Sequence, residues 1–351
     1  MNIIKPMPLT NGISVNQVET YANGAFTMYA TASKGRNGII LFNSKGIPKV
    51  ATAASCGVML SSYAYLVMNE KNSPNSLGNV YYSSGEVIAT GFKDFQVFEN
   101  NWYVLMFDNT NVLYNSSHQE VTRNFAEAKV FPTGYALRMG QNNHWDFYSL
   151  KGRLEYTIFN IEVFLGKHYV LTKARKCDDF YQLRDHSNKV VIKDKIYSYI
   201  NYSDGSFVVN TNEWCAYFDS RGKERCRSLR EYQFLPDGTA IEQAKAQIAP
   251  QEVVFDAKYA SKHASYQVVA GHYYFVQTSE SLKFFSNFKN EIAVRGTYEW
   301  HDPHAVMIVE RFTGKRVKYR MFNHHGEVFN TSDTSLMENV IATFNSIGTE
   351  K

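Results

Sequence analysis

The sequence predicts an all-β repeat protein of about nine four-stranded units, each of about 35 residues, closed into a β-propeller and followed by one amphipathic C-terminal helix. An open β-solenoid is the alternative closure of the same units. Three observations carry the prediction. An aromatic anchor recurs at Phe42, Tyr82, Tyr114, Tyr148, Tyr181, Phe218, Phe255, Phe285 and Phe322, at intervals of 30 to 40 residues. A turn signal follows nearly every anchor. Aromatic residues make up 15% of the chain and sit in alternating stretches, the period of half-buried strands.

In chain order, residues 1–17 read as an N-terminal extension, 18–330 as the β-repeat domain and 331–351 as a C-terminal helix and tail. Each repeat opens on a turn and an apolar strand, as in NGAFTMY, TGYALRM and DGSFVVN. The Asn-Gly, Thr-Gly and Asp-Gly pairs suit two-residue hairpins, which need positive φ. The anchor strand comes next, then a second turn such as NSKG, SSGE, SLKG or DSRG. RLEYTIFNIEVFL and FKDFQVF are long enough for an outer strand and the first strand of the next unit. Four short strands cannot bury both faces alone, so each unit must stack on its neighbours. In the tail, Ser335 and Glu338 have capping-box spacing. Leu336, Val340, Phe344 and Ile347 share one helical face, and Gly348 is the stop, which predicts a helix over 335–347.

RNGIILFNSKGIPKV and HWDFYSLKGRLE resemble the unit of bacterial WG-repeat proteins: an aromatic residue or glycine, an apolar pair, a polar residue and a Gly-Lys turn. The resemblance implies a β repeat and no particular activity.

Composition excludes little else. The chain of 351 residues is 44% hydrophobic and 20% charged, enough for a large core and too balanced for disorder. A formal charge of +4 does not call for nucleic acid as a partner. MNIIKPMPLTNGISV has no long apolar run, which predicts no secretory leader, and no window is apolar enough to insert into a membrane. Cys56, Cys177, Cys215 and Cys226 form no C-x-x-C pair, the pattern of a reduced cytoplasmic protein. Cys215 and Cys226 flank the DSRGKE turn and leave a disulfide open as an alternative.

Candidate sites fall into four groups. KNSPNSLG at 71–78 and AKAQIAPQE at 244–252 are the longest loop expansions, both on one side of the unit, and make Lys71, Asn75, Lys245 and Gln247 candidate partner-binding residues. Arg221, Lys223, Arg225, Arg227 and Arg230 form a candidate anion site around one turn. His301, Asp302, His304, His324 and His325 have ligand chemistry but occupy ordinary turn positions, so no metal and no cofactor is expected. Asp146, Asp178, Asp179 and Asp219 lie on or beside repeat strands, where turn chemistry explains carboxylates better than an acid–base pair. Trp102, Trp145, Trp214 and Trp300 read as packing residues. Phosphate-loop, nucleophile-elbow, dinucleotide and zinc-protease motifs are missing, which counts against an enzyme. The sequence therefore predicts a non-catalytic scaffold that binds another protein through one loop edge. The alternative is a loop-built propeller enzyme or lectin acting on glycans.

Overall fold

The computed structural model describes residues 7–9, 13–32, 35, 37–69, 77–140, 144–175, 177–201, 205–228, 232–234, 240–242, 265–269, 273–277, 282–287, 290–294, 297–301, 305–312, 317–323 and 325–347. Its strands fall into successive antiparallel sheets, each made of strands consecutive in the chain. Sheet 1 contains Met7–Leu9, Ile13–Thr20, Phe26–Ala32, Asn37–Phe42 and Pro48–Thr52. Sheet 2 contains Cys56–Met59, Ala64–Met68, Gly78–Tyr82 and Val87–Phe92, and sheet 3 contains Asp94–Val97, Tyr103–Met106, Asn111–Tyr114 and Glu120–Arg123. Sheet 4 is Glu127–Phe131, Gly134–Arg138, His144–Ser149 and Leu154–Phe159, and sheet 5 is Ile161–Leu165, Tyr169–Thr172, Tyr181–Asp185 and Val190–Ile196. Sheet 6 is Ser198–Asn201, Phe207–Asn210, Cys215–Phe218 and Glu224–Ser228. Sheet 7 pairs Tyr232–Phe234 with Ala240–Glu242. Sheet 8 contains Ser265–Val269, Tyr273–Gln277, Leu282–Asn287 and Asn290–Ile292, and sheet 9 contains Thr297–His301, Ala305–Arg311, Val317–Asn323 and Gly326–Asn330. Residues 7–9 and 13–17, expected to precede the repeats, are strands of sheet 1. One helix, α1 (Thr334–Asn345), follows the last sheet.

The chain divides into two units, Met1–Ala128 with Arg295–Lys351, and Lys129–Val294. In the first, sheet 9 packs directly on sheet 1. Val15, Phe26, Met28 and Phe42 of sheet 1 share a core with Met307, Val309, Met321 and Phe329 of sheet 9. Phe26 and Phe42 stack at 4.5 Å, and Phe329 meets Phe42 edge-on at 5.7 Å. Asn323 Nδ2 donates to the carbonyls of Gly24 and Ser44 at 3.0 and 2.9 Å, fixing the turns of sheet 1 to the last sheet. Helix α1 closes this core with Met337, Val340 and Phe344, and Ile347 follows just past its end. Its N-cap is Asp333, which accepts from the Leu336 N–H. Ser335, the expected cap, instead donates its hydroxyl to Asp333. Sheet 2 packs on sheet 1 through Ile39, Leu41, Val58 and Leu66. Two donors, the Tyr21 hydroxyl and the Thr27 hydroxyl, converge on the Gly57 carbonyl.

In the second unit Phe131, Trp145 and Phe147 of sheet 4 pack with Ile161 and Val170 of sheet 5, and Leu171 and Leu183 of sheet 5 pack with Phe207 and Phe218 of sheet 6. The second and third strands are more buried than the fourth, as in Phe207–Asn210 against Val190–Ile196. Outer strands therefore carry the polar and charged residues. Positive φ at Asn124 and Asn160 lets the chain leave one sheet and start the next.

The hairpin between the third and fourth strands is built the same way from sheet to sheet. Its first residue is Asn43, Tyr82, Asn115, Ser149, Asp185 or Asp219, and three residues on the backbone has positive φ, at Gly46, Gly85, His118, Gly152, Asn188 or Gly222. Oδ1 of Asn43, Asn115, Asp185 and Asp219 accepts the backbone N–H groups two and four residues ahead, at 2.9–3.0 Å. These are three-residue loops with a bulge. The frame also corrects two anchors. The position before the turn is Tyr81, not Tyr82, in sheet 2, and Arg184, not Tyr181, in sheet 5.

Candidate functional site

In sheets 4, 5 and 6 the residue four places after the start of this hairpin is basic: Arg153, Lys189 and Lys223. In sheets 1, 2, 3 and 9 the same register holds Ile47, Glu86, Gln119 and Glu327. Lys151 and Arg221 add further cations two places after the start. All five are exposed, and no ion pair joins their side chains among the described residues. Asp185 and Asp219, the carboxylates in the same turns, are engaged by backbone N–H groups. Burial alone would raise the Asp219 carboxyl. The Lys223 and Arg221 N–H groups and the Arg225 guanidinium outweigh it and hold the carboxyl below its ordinary value.

Tight packing brings these turns together. His186 lies against Phe131 and Phe147 of sheet 4 at 4.3 and 5.1 Å between ring centres. The Tyr169 hydroxyl donates to the Gly222 carbonyl at 2.7 Å, and a Cβ at Gly222 would lie 2.8 Å from His168 Cδ2. A Cβ at Gly166 would lie 2.3 Å from the Gly205 carbonyl oxygen, so the first hairpins of sheets 5 and 6 touch backbone to backbone. His168 is held below its ordinary value by burial and then by Lys167.

The residues of the predicted anion site have different surroundings. Arg221 and Lys223 stand exposed, whereas Arg225 pairs with Asp219 and Arg227 makes two 2.9 Å hydrogen bonds to Glu224. The Arg227 guanidinium also sits 3.9 Å from the centre of the Trp214 ring, whose Nε1 donates to Asp194. Trp214 is thus a packing residue, as are Trp102 and Trp145, both buried. Arg230 lies outside the described residues, as do Lys71, Asn75, Lys245 and Gln247, and Asp302, His304 and His324 of the histidine group. His325 is exposed in the turn of sheet 9, and His301 ends its first strand. No group of three metal-ligating side chains occurs among the described residues. Asp146 accepts from the Thr157 hydroxyl, Asp178 accepts from the Arg175 N–H and Asp219 anchors its turn, so the three serve different local tasks. Cys215 opposes Ser228 while Cys226 opposes Tyr217, and Cys215 is buried.

Sequence reading missed one polar site in the first unit. His118 occupies the positive-φ turn position that other sheets give to glycine or asparagine, and its ring is buried between Tyr63, Tyr82 and Tyr103. Its Nε2 lies 3.1 Å from Ser61 Oγ, while its Nδ1 and the Tyr103 hydroxyl are buried without a protein partner. Burial holds the imidazole below its ordinary value, so it is neutral at pH 7. This arrangement pins the turn of sheet 3 to sheet 2. The only sequence signal is the alignment of NSSH with NSKG.

No family model matches the chain, and no curated protein matches it. Among solved structures it is similar to Hsv2 of Kluyveromyces lactis (TM-score 0.32, 8% identity, 75% of this chain and 91% of that one) and Hsv2 of K. marxianus (0.31, 7%, 88% and 93%). A third is PorZ of Porphyromonas gingivalis, described as an essential bacterial surface component of the type-IX secretion system (0.28, 7%, 93% and 52%). At these scores none of the three establishes a function for this chain.

Proposed function

We propose that this chain is a non-catalytic interaction scaffold, a β-propeller whose edges bind another protein. The seating of sheet 9 on sheet 1 supports a closed ring over an open solenoid. The binding role rests on one observation: large apolar side chains exposed on three consecutive sheets of the second unit. They are Leu150, Leu154 and Phe159 of sheet 4, Val191 of sheet 5, and Tyr197 and Tyr199 at the start of sheet 6, with Phe159 64% exposed. Single exposed apolar residues are ordinary, but a series on successive elements is the signature of a surface that another molecule covers. The expansions at 71–78 and 244–252 are the proposed recognition loops of the same scaffold.

The test is affinity capture from the source cell with the wild-type chain and a Leu154→Ser/Phe159→Ser variant. The expected result is a specific protein retained by the wild type and lost by the variant, with unchanged thermal unfolding. Hydrolysis of glycans by purified wild type, with no protein retained, would replace this reading with that of a loop-built enzyme.

A further inference from the structure

We infer that the hairpin end of sheets 4, 5 and 6 is a second binding surface, which recognises an acidic peptide segment of a partner protein. The inference deepens the scaffold reading and concerns a different set of residues. One repeat register, four places after the turn start, carries Arg153, Lys189 and Lys223 in three successive sheets and no cation in sheets 1, 2, 3 and 9. A fold that repeats its backbone leaves the side chain at this position free to vary. Three cations in a row at one register therefore reflect the surface and not the turn. Lys151 and Arg221 extend the same row.

Charge bookkeeping in these turns favours an external anion. Asp185 and Asp219 direct Oδ1 to backbone N–H groups, Asp219 and Glu224 also hold Arg225 and Arg227, and the five exposed cations are left without carboxylate partners among the described residues. Five like charges on neighbouring hairpins repel one another, and an anionic ligand relieves that repulsion. The exposed carboxylates closest in sequence to this row are Glu224, beside Lys223 and already paired with Arg227, and Glu155, on the outer strand of sheet 4.

A peptide fits this surface better than a nucleic acid. Single-stranded nucleic acid binding combines cations with aromatic faces on which bases stack. At this end the aromatic rings are already occupied: Tyr135 stacks on Tyr148 at 5.1 Å, and Tyr169 packs edge-on against Phe207 and Phe218 at 5.6 Å each. Beside Leu150 of sheet 4, what remains exposed is ammonium and guanidinium groups on separate hairpin tips, suited to carboxylates spaced along an extended chain.

The experiment is fluorescence anisotropy with a labelled Asp/Glu-rich peptide, a Asn/Gln-matched neutral peptide and an oligothymidine of equal charge. It uses the full chain and the variants Lys189→Glu/Lys223→Glu and Lys45→Glu. Lys45 is exposed in the corresponding turn of sheet 1. The expected result is binding of the acidic peptide alone, weakened by added salt and at least tenfold weaker in the double variant, with Lys45→Glu behaving as wild type. Binding equally impaired by Lys45→Glu, tighter binding of the oligothymidine, or no binding of the acidic peptide overturns the inference. Loss of the Phe159-dependent protein capture would instead strike the scaffold reading, so the two failures are separable.

Discussion

Glycines that look alike in the sequence carry different duties in the structure. Gly152 and Gly46 both close a hairpin at positive φ, +79° and +75°. A Cβ at Gly152 would meet nothing closer than the Tyr135 hydroxyl at 3.7 Å, whereas one at Gly46 would lie 1.7 Å from the Val328 carbonyl oxygen of sheet 9. Gly152→Ala should therefore cost only the backbone strain, about 1 kcal/mol, while Gly46→Ala should cost more than about 3 kcal/mol because sheet 9 must move. Urea unfolding of both variants checks this, and equal losses would refute the inter-sheet role of Gly46. His186 gives a pH prediction. Burial, with His168 adding to it, pushes its imidazole down to about 4, against about 6.5 in an unfolded chain. Between those values the unfolded chain binds a proton that the folded one does not, so stability present above pH 6.5 is lost as pH falls toward 4. The loss is on the order of 3 kcal/mol and levels off below pH 4. Thermal midpoints from pH 7 to 4 should fall in the wild type and fall less in His186→Phe.

The elements were legible to different depths. Turns and strands repeat because hydrogen bonds within each hairpin are local, and local signals such as NSKG and DSRG survive in a single sequence. Anchor identity is less local. Tyr181 was the aromatic residue nearest the turn, yet the structural position is held by Arg184, because side chains between sheets are chosen by the neighbour they meet. The commonest mark of the unit is the Asn or Asp that opens the turn in sheets 1, 3, 5 and 6. His118 hid for the opposite reason: a histidine at positive φ imitates a glycine position while doing a packing task. The basic row was read around one turn only, since its pattern emerges when hairpins from three sheets are placed in one register. Helix α1 was legible from its apolar stripe, and its start moved only to Asp333, whose carboxylate reaches the Leu336 N–H. Asp333→Ala should cost about 1 kcal/mol, as loss of a cap does. Phe344→Ala should cost about 3–5 kcal/mol, because Phe344 lies in the core shared by sheets 1 and 9. Chemical denaturation of the two variants tests that ranking, and a smaller loss for Phe344→Ala would refute the closing role of the helix.

For the whole chain, the proposed ring makes a measurable claim. A closed propeller of this length should scatter X-rays as a compact particle with a radius of gyration of about 20 Å, and an extended solenoid would give a clearly larger value. The packing of sheet 9 on sheet 1 also sets a timetable. On the ribosome, Phe26, Met28 and Phe42 emerge early, but Met307, Met321, Phe329 and helix α1, which cover them, are made about 250 residues later. At ordinary rates of synthesis that is an interval of roughly 10–50 s. During it the first sheet offers an apolar face and no native occupant, so nascent chains stalled before residue 305 should be bound by chaperones, and completed chains should be released.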